Sequence, residues 1–151
     1  MLRILVPVDG SEHDSRTLSY ISKLLPGRAD VEVVLLNAID LQLLPTEADI
    51  TGMPVFLPPS EIEGQQQAAQ QQAQKVVTGA QAIAKRLNLA ARTEIRWGDP
   101  ATVIVDCSKD GEAYDLIALG SRGAGQIAGI FLGSVSDRVV HRAQIPVLIV
   151  R

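Results

Sequence analysis

Four short apolar runs, and one run at 92–97 in which polar and apolar residues alternate, are separated by helix-forming segments, and this pattern limits the fold more than any other feature. The runs are rich in β-branched residues and predict strands at 3–8, 31–38, 92–97, 116–119 and 146–150. The segments between them predict helices at 11–25, 60–87, 99–110 and 134–142. Such alternation favours a parallel sheet with helices on both faces. The expected fold is therefore α/β, with one doubly wound domain spanning residues 1–151.

Capping residues at fixed spacing indicate where the helices begin. Asp99 is expected to cap the third helix, with Pro100 at its first position. The other three helices begin with pairs three residues apart, the spacing of a capping box. These pairs are Ser11 with Asp14, Ser60 with Glu63, and Ser134 with Asp137.

Composition argues against several classes of function. The net charge is −3 and aromatic residues make up 3% of the chain, so neither a basic nucleic-acid-binding face nor a stacking platform is expected. No apolar run approaches about 18 residues, the length of a membrane span. The one cysteine, Cys107, is expected to pack in the core, and a lone thiol fits a reducing compartment. With no recognisable signal peptide, these observations predict a cytoplasmic protein that binds neither nucleic acid nor membrane.

One segment, residues 40–59, interrupts the alternation. It combines four prolines and a glycine with many leucines and other apolar residues. A long apolar loop of this kind is often functional or covered by a partner. Two interpretations of its central part, 41–57, remain open: a protein-binding surface and an insertion without a role.

A glycine-rich segment follows the fourth predicted strand and leads into the last helix. It runs from Gly120 to Ser134, and glycines allow a ligand to approach the backbone closely. The unpaired N–H groups and partial positive charge of a helix N-terminus suit a phosphate group. Ser134, Ser136 and Arg122 would add two hydroxyls and a cation. Neither the P-loop nor the dinucleotide glycine pattern is present, so a phosphate site and a flexible surface loop both remain open.

The expected strand order places this segment beside a carboxylate. Doubly wound, Rossmann-like sheets bind ligands at the carboxyl ends of the strands, where the strand order reverses. With the order 3-2-1-4-5, the first and fourth strands would be neighbours at the reversal. Their ends, at Asp9 and Gly120, would then face one crevice, and Asp9 could accept hydrogen bonds from ribose hydroxyls.

The spacing of the glycines resembles the signature of a known family. Gly120, Gly123, Gly133 and Ser134 follow the pattern G-x2-G-x9-G-[ST], which is similar to the ATP-binding signature of the universal stress protein family. The opening ILVPVDGSE and the closing HRAQIPVLIVR also resemble that family in wording and position. The resemblance spans nearly the whole chain, apart from 40–60 and the glutamine-rich start of the second helix.

This resemblance implies an adenine-nucleotide site built from named residues. Three groups would line the adenosine part: Pro7, Val8 and Asp9, with Asp9 on the ribose; Ile39 on the adenine; and Leu119 and Gly120 beside the nucleotide. The phosphates would be held by Arg122, Gly123, Gly133, Ser134, Val135 and Ser136. Mg²⁺ would accompany the phosphates, and the last strand, Val147–Val150, would pair with its copy in a homodimer.

The function that the resemblance implies is regulation rather than catalysis. The chain keeps every position of the signature, so we expect an ATP-binding regulator or sensor in a stress response. No residue stands out as catalytic, and His13 and His141 are expected to have surface or packing roles. Two alternatives remain: a slow ATP hydrolase, and a protein-interaction module that uses 41–57 without a nucleotide.

Overall fold

The computed structural model describes residues 1–40, 59–109, 114–121 and 132–151. The predicted segment 41–57, Arg122 and Gly123 lie outside the described residues. Within them, strands and helices alternate as predicted: β1 Leu2–Pro7, α1 Glu12–Leu24, β2 Val31–Ile39, α2 Pro59–Arg86, β3 Ala91–Trp97, α3 Pro100–Cys107, β4 Leu116–Gly120, α4 Ser134–Arg142 and β5 Val147–Val150.

All five strands form one parallel sheet in the order β3-β2-β1-β4-β5, which confirms the predicted fold class and strand order. β1 and β2 pair along their length, from Leu2 opposite Val31 to Pro7 opposite Leu36. β4 joins the other side of β1, where Leu5 lies opposite Ile117. The chain therefore reverses its direction across the sheet between β1 and β4, and the carboxyl ends of these two strands are neighbours.

Two apolar layers hold the helices against the sheet, one on each face. Alternate residues of β1 point into different layers, with Ile4 and Val6 in the first and Leu5 in the second. The first layer includes Leu18 and Ile21 of α1 and three residues of α2, Val77, Ala80 and Ala84. The second includes Ile104 and Cys107 of α3 and Val139 of α4. Full burial of a leucine-sized side chain stabilises a fold by about 1.5–3 kcal/mol, so these layers fix where each helix lies.

The predicted capping boxes are wrong, whereas the predicted cap of α3 is confirmed. Asp99 accepts a hydrogen bond from the N–H of Thr102 at 3.0 Å, with Pro100 at the start of the helix. The N-cap of α4 is Gly133, so Ser134 is already helical, and α2 likewise includes Ser60. The boxes predicted for α2 and α4 therefore name as N-cap a residue that lies inside the helix.

α1 fails the prediction in a different way. Its N-cap is Ser11, as expected, but the Ser11 side chain makes no capping hydrogen bond. Asp14 reaches past the N-cap and accepts hydrogen bonds from the N–H groups of Gly10, at 2.8 Å, and Asp9, at 3.3 Å. Gly10 has a φ of +83°, a left-handed conformation that turns these N–H groups toward the first turn of the helix.

Among the described helices, none is both long enough and apolar enough to cross a membrane. The longest, α2, has 28 residues, but most of its surface is polar and exposed. Its buried residues begin only at Ala73.

Candidate nucleotide-binding crevice

A crevice of about 360 Å³ lies at the carboxyl ends of β1, β2 and β4. The first turn of α1 and the N-terminal ends of α3 and α4 complete its walls. This is the position at which doubly wound sheets bind ligands, because the strand order reverses between β1 and β4. The fold thus brings the ends of six elements of the chain to a single cavity.

Most residues predicted from the sequence to form a site lie in this crevice. Asp9 lines it from the end of β1, and Gly120 lines it from the end of β4. The described predicted residues that line it are Pro7, Val8, Asp9, Leu119, Gly120, Gly133, Ser134, Val135 and Ser136. The structure therefore brings Asp9, which follows β1, and Gly133, which precedes α4, to the same cavity. Gly133 follows Asp9 by 124 positions in the chain.

Ile39 is not among the described residues that line the crevice. β2 continues one residue beyond its predicted end, so Ile39 remains in the sheet opposite Trp97 and is only 7% exposed. Its carbonyl accepts a hydrogen bond from the N–H of Gly98 at 2.9 Å. β2 instead contributes Leu36, Asn37 and Ala38 to the crevice.

One end of the crevice is acidic. Asp14 is only 7% exposed, and Asp9 beside it accepts a hydrogen bond from the N–H of Ser11 at 2.9 Å. Burial raises the pKa of the Asp14 carboxyl to about 6, and the charge of Asp9 acts in the same direction. The hydrogen bond from the N–H of Gly10 opposes this rise but does not cancel it. Asp14 therefore changes its charge much closer to neutral pH than an exposed aspartate does.

The opposite chemistry is found where α4 begins. The N–H of Asp137 donates to the carbonyl of Gly133 at 2.8 Å and makes the first hydrogen bond of the helix. The N–H groups of Ser134, Val135 and Ser136 precede that bond, and these residues line the crevice. Such a helix start presents hydrogen-bond donors and partial positive charge to an anion.

Two hydrogen bonds hold this helix start against the end of β4. The hydroxyl of Ser136, itself buried, donates to the carbonyl of Gly120 at 2.8 Å. The N–H of Gly133 donates to the carbonyl of Ser121 at 2.7 Å. Ser134, by contrast, is exposed. The two serines of the motif therefore differ: Ser136 is bonded within the protein, and Ser134 is accessible to a ligand.

Sequence reasoning missed several lining residues, among them His13 and Asn37. The Nδ1 atom of His13 is buried and has no hydrogen-bond partner among the described residues. The side-chain amide of Asn37 donates to the carbonyl of Val8 at 2.7 Å and ties β2 to the end of β1. A signal for Asn37 was present, because it is the one amide side chain in the apolar run of β2. Pro100 and Ile104, which also line the crevice, offered no such signal, because only packing brings α3 there.

Comparison with known proteins shows the family. The model of the universal stress protein family matches residues 1–151, and the chain belongs to this family. Universal stress protein YxiE of Bacillus subtilis is 29% identical over 149 residues, covering 99% of this chain and 98% of YxiE. Universal stress protein Sll1388 of Synechocystis is 31% identical over 156 residues, covering 99% of this chain and 97% of that protein.

Solved structures show the same fold. Protein MJ0577 of Methanocaldococcus jannaschii has a TM-score of 0.75 at 27% identity, covering 99% of this chain and 94% of that chain. A universal stress protein of Archaeoglobus fulgidus, solved in complex with dAMP, has a TM-score of 0.66 at 19% identity and covers 100% of this chain and 98% of that one. A family member from Arabidopsis thaliana, solved with AMP bound, has a TM-score of 0.66 at 17% identity, with 99% and 91% covered.

Proposed function

We propose that this universal stress protein binds ATP in the crevice, together with Mg²⁺, and acts as a nucleotide-dependent regulator or sensor. The observation that carries the proposal is the meeting of Asp9 and the N-terminus of α4 in one cavity. A carboxylate suits ribose hydroxyls, and a helix N-terminus suits phosphates. The structures of relatives with dAMP and AMP support the choice of an adenine nucleotide.

In this proposal the adenosine part lies against the strand ends. Apolar residues at the ends of three neighbouring strands line the crevice there: Pro7 of β1 and Val8 directly after it, Leu36 and Ala38 of β2, and Leu119 of β4. An apolar wall with few polar groups is the usual composition of a small-molecule site. Asp9 would accept hydrogen bonds from the ribose, because its carboxylate lies at the end of β1 within the same cavity.

The phosphates would lie at the start of α4. The N–H groups and the hydroxyl of Ser134 are positioned as donors there, and Gly133 precedes them as the N-cap. Arg122 and Gly123 of the family's glycine signature would complete this end of the site. The described residues contain no cluster of three or more acidic, histidine or cysteine side chains that could hold a metal. In this proposal Mg²⁺ accompanies the phosphates and neutralises part of their charge.

We also propose that the protein forms a homodimer through β5. This strand lies at one end of the sheet order and is short and apolar. A strand in that position offers backbone donors and acceptors to a second strand. Pairing between two copies of β5 would join the two sheets. It would leave the crevice walls unchanged, because the described lining includes no residue of β5.

The test is titration of the purified chain with Mg-ATP by calorimetry. ADP, AMP, cyclic AMP and adenosine are titrated in parallel, and Mg-GTP serves as the control for the base. We expect saturable binding of adenine nucleotides and a marked loss of affinity in Asp9→Ala. The absence of binding up to roughly 1 mM, equivalent to a binding free energy of about −4 kcal/mol, would overturn the proposal. Phosphate release measured on the same samples separates a regulator from a slow hydrolase.

A further inference from the structure

The N-terminal ends of α3 and α4 form one wall of the crevice. α3 contributes Pro100 and Ile104, and α4 contributes residues of its first turn. Asp99, the N-cap of α3, comes directly before Pro100. One carboxylate oxygen of Asp99, Oδ1, accepts hydrogen bonds from the N–H of Thr102 at 3.0 Å and from its hydroxyl at 2.7 Å. This cap fixes the orientation of the Asp99 carboxylate.

Arg138 of α4 binds that carboxylate with both terminal nitrogens. Nη1 donates to Oδ2 at 2.7 Å, and Nη2 donates to Oδ1 at 2.7 Å. The guanidinium and carboxylate therefore meet in the bidentate arrangement, which fixes geometry more strongly than a single contact. Hydrogen bonds from Arg138 hold the pKa of Asp99 well below its usual range. The pair thus stays charged at every pH at which the protein is expected to work.

A second contact joins the same two helices. Arg142, one turn after Arg138, donates from Nη1 to the hydroxyl of Thr102 at 3.1 Å. Residues four apart lie on the same face of a helix, so both arginines bind the first turn of α3 from one side. Together they restrict how α4 can slide along α3 or rotate about its own axis.

These contacts between α3 and α4 lie close to the backbone N–H groups that would bind the phosphates. Arg138 follows Ser134 by four residues, a distance of about 6 Å along a helix axis. A small rotation of α4 would therefore change the direction of the N–H groups at its start. Asp99 is next to Pro100, so the same contact also sets the separation between the two crevice-lining helix ends.

The exposure of the two side chains argues against a mainly stabilising role. The Arg138 side chain is 46% exposed and that of Asp99 is 37% exposed. Ion pairs with such exposure contribute little to the stability of a fold. The pair, however, joins the two helices whose N-terminal ends line the crevice. Positioning of α4 explains the bidentate arrangement better than global stability does.

We propose that Asp99 and Arg138 are a positioning pair that holds the N-terminus of α4 in the orientation required by the phosphates of the bound nucleotide. This inference rests on the proposed function. Neither side chain needs to touch the nucleotide. Loss of the pair should weaken the binding of ATP, which depends on α4, much more than the binding of adenosine, which lies against the strand ends.

The test compares ATP and adenosine affinities in Arg138→Met and Asp99→Asn. Asparagine retains an oxygen for the cap of α3 but removes the charge that binds Arg138. We expect each variant to bind ATP about ten-fold more weakly, within the range of a helix-terminus interaction, and to bind adenosine within about two-fold of the unsubstituted chain. The double variant should lose little more than either single variant, because both remove the same contact.

The matched control is Arg28→Met. Arg28 also binds an exposed aspartate, Asp30, through two nitrogens, but this pair directly precedes β2 and so lies at the amino ends of the strands, away from the crevice at their carboxyl ends. Arg28→Met should change neither the affinity for ATP nor the affinity for adenosine. All variants should keep the unfolding midpoint of the unsubstituted chain within about 2 °C. Unchanged ATP binding, or equal weakening of ATP and adenosine, would overturn the positioning role. An unsubstituted chain that binds no nucleotide would instead overturn the proposed function.

Discussion

The buried carboxylate of Asp14 accepts a hydrogen bond from the backbone N–H of Gly10 at 2.8 Å, and so ties the first turn of α1 to the end of β1. Two opposing effects act on this carboxylate. Burial raises its pKa to about 6, whereas the N–H bond favours the charged form. Burial dominates, so the folded protein holds the Asp14 proton more tightly than the unfolded chain does, where the ordinary value is 3.8.

The pH dependence of stability follows from this shift. The contribution of Asp14 to stability is fully present below its unfolded pKa and is lost as the pH rises through the folded value of about 6. Asp14→Asn stays neutral and keeps an oxygen for Gly10. Relative to the unsubstituted chain, its free energy of unfolding should rise by about 2 kcal/mol between pH 4 and pH 7.5.

Urea unfolding of both proteins at several pH values measures this difference. Asp106→Asn is the matched control, because Asp106 is an exposed aspartate on α3. A difference between Asp14→Asn and the unsubstituted chain that stays constant from pH 4 to pH 7.5 would contradict the assignment of a buried, proton-holding carboxylate.

A side chain at Gly10 should destabilise the fold. Its φ of +83° is unfavourable for other residues, and a Cβ there would lie 3.2 Å from Cγ2 of Val76. Gly27 has a similar φ of +70° but open space around the added atom. We expect Gly27→Ala to cost about 1 kcal/mol and Gly10→Ala to cost clearly more, because the second substitution adds a steric conflict. Equal losses in chemical unfolding would show that Val76 moves freely.

The layered fold could be predicted from the sequence because its cause is local. Four of the five strands are short apolar runs, and runs such as 31–39 are buried on both faces, so their composition alone indicates a parallel sheet. The strand order was assumed from the usual arrangement of doubly wound sheets rather than shown by particular residues, and the structure confirms it. The starts of the helices were predicted less accurately from the sequence. Asp14 bonds to Gly10 rather than to Ser11 because of the φ of Gly10, which spacing does not reveal.

The crevice was predictable only in part for a related reason. Asp9 and Gly133 belong to recognisable motifs, so their meeting followed from the strand order. Ile104 and the Asp99–Arg138 pair depend on how α3 and α4 pack together, and nothing in the local sequence of either helix fixes that contact. Crevice residues that belong to sequence motifs could therefore be predicted, whereas residues placed there only by tertiary packing could not.

The two serines at the start of α4 should respond differently to removal of their hydroxyls. Ser136→Ala would leave the carbonyl of Gly120 without its 2.8 Å hydrogen bond in a buried position, at a cost of about 1–2 kcal/mol in unfolding free energy. Ser134→Ala removes an exposed hydroxyl and should leave stability within about 0.5 kcal/mol, while weakening ATP binding. Calorimetric titration and urea unfolding of both variants provide the comparison. A loss of stability in Ser134→Ala would contradict the division of roles.

The pairing of β5 with β4 shows which backbone groups of β5 face away from β4, toward the outer edge of the sheet. The carbonyls of Pro146 and Val150 accept hydrogen bonds from Ile117 and Ser121, so these positions face β4. Backbone direction alternates along a strand, and Leu148 therefore also faces β4. The N–H groups of Val147 and Ile149 point toward the outer edge, where a copy of the chain would pair in the proposed dimer.

Proline substitution along β5 separates the dimer from the fold, because proline removes one backbone N–H. Ile149→Pro deletes a donor on the outer edge, so we expect a folded monomer in light scattering coupled to size exclusion. Leu148→Pro deletes a donor that faces β4 and should instead destabilise the sheet, which makes it the matched control. A dimer that persists in Ile149→Pro would show that the copies associate elsewhere. Unfolding of Ile149→Pro to the same extent as Leu148→Pro would contradict the assignment of the outer edge.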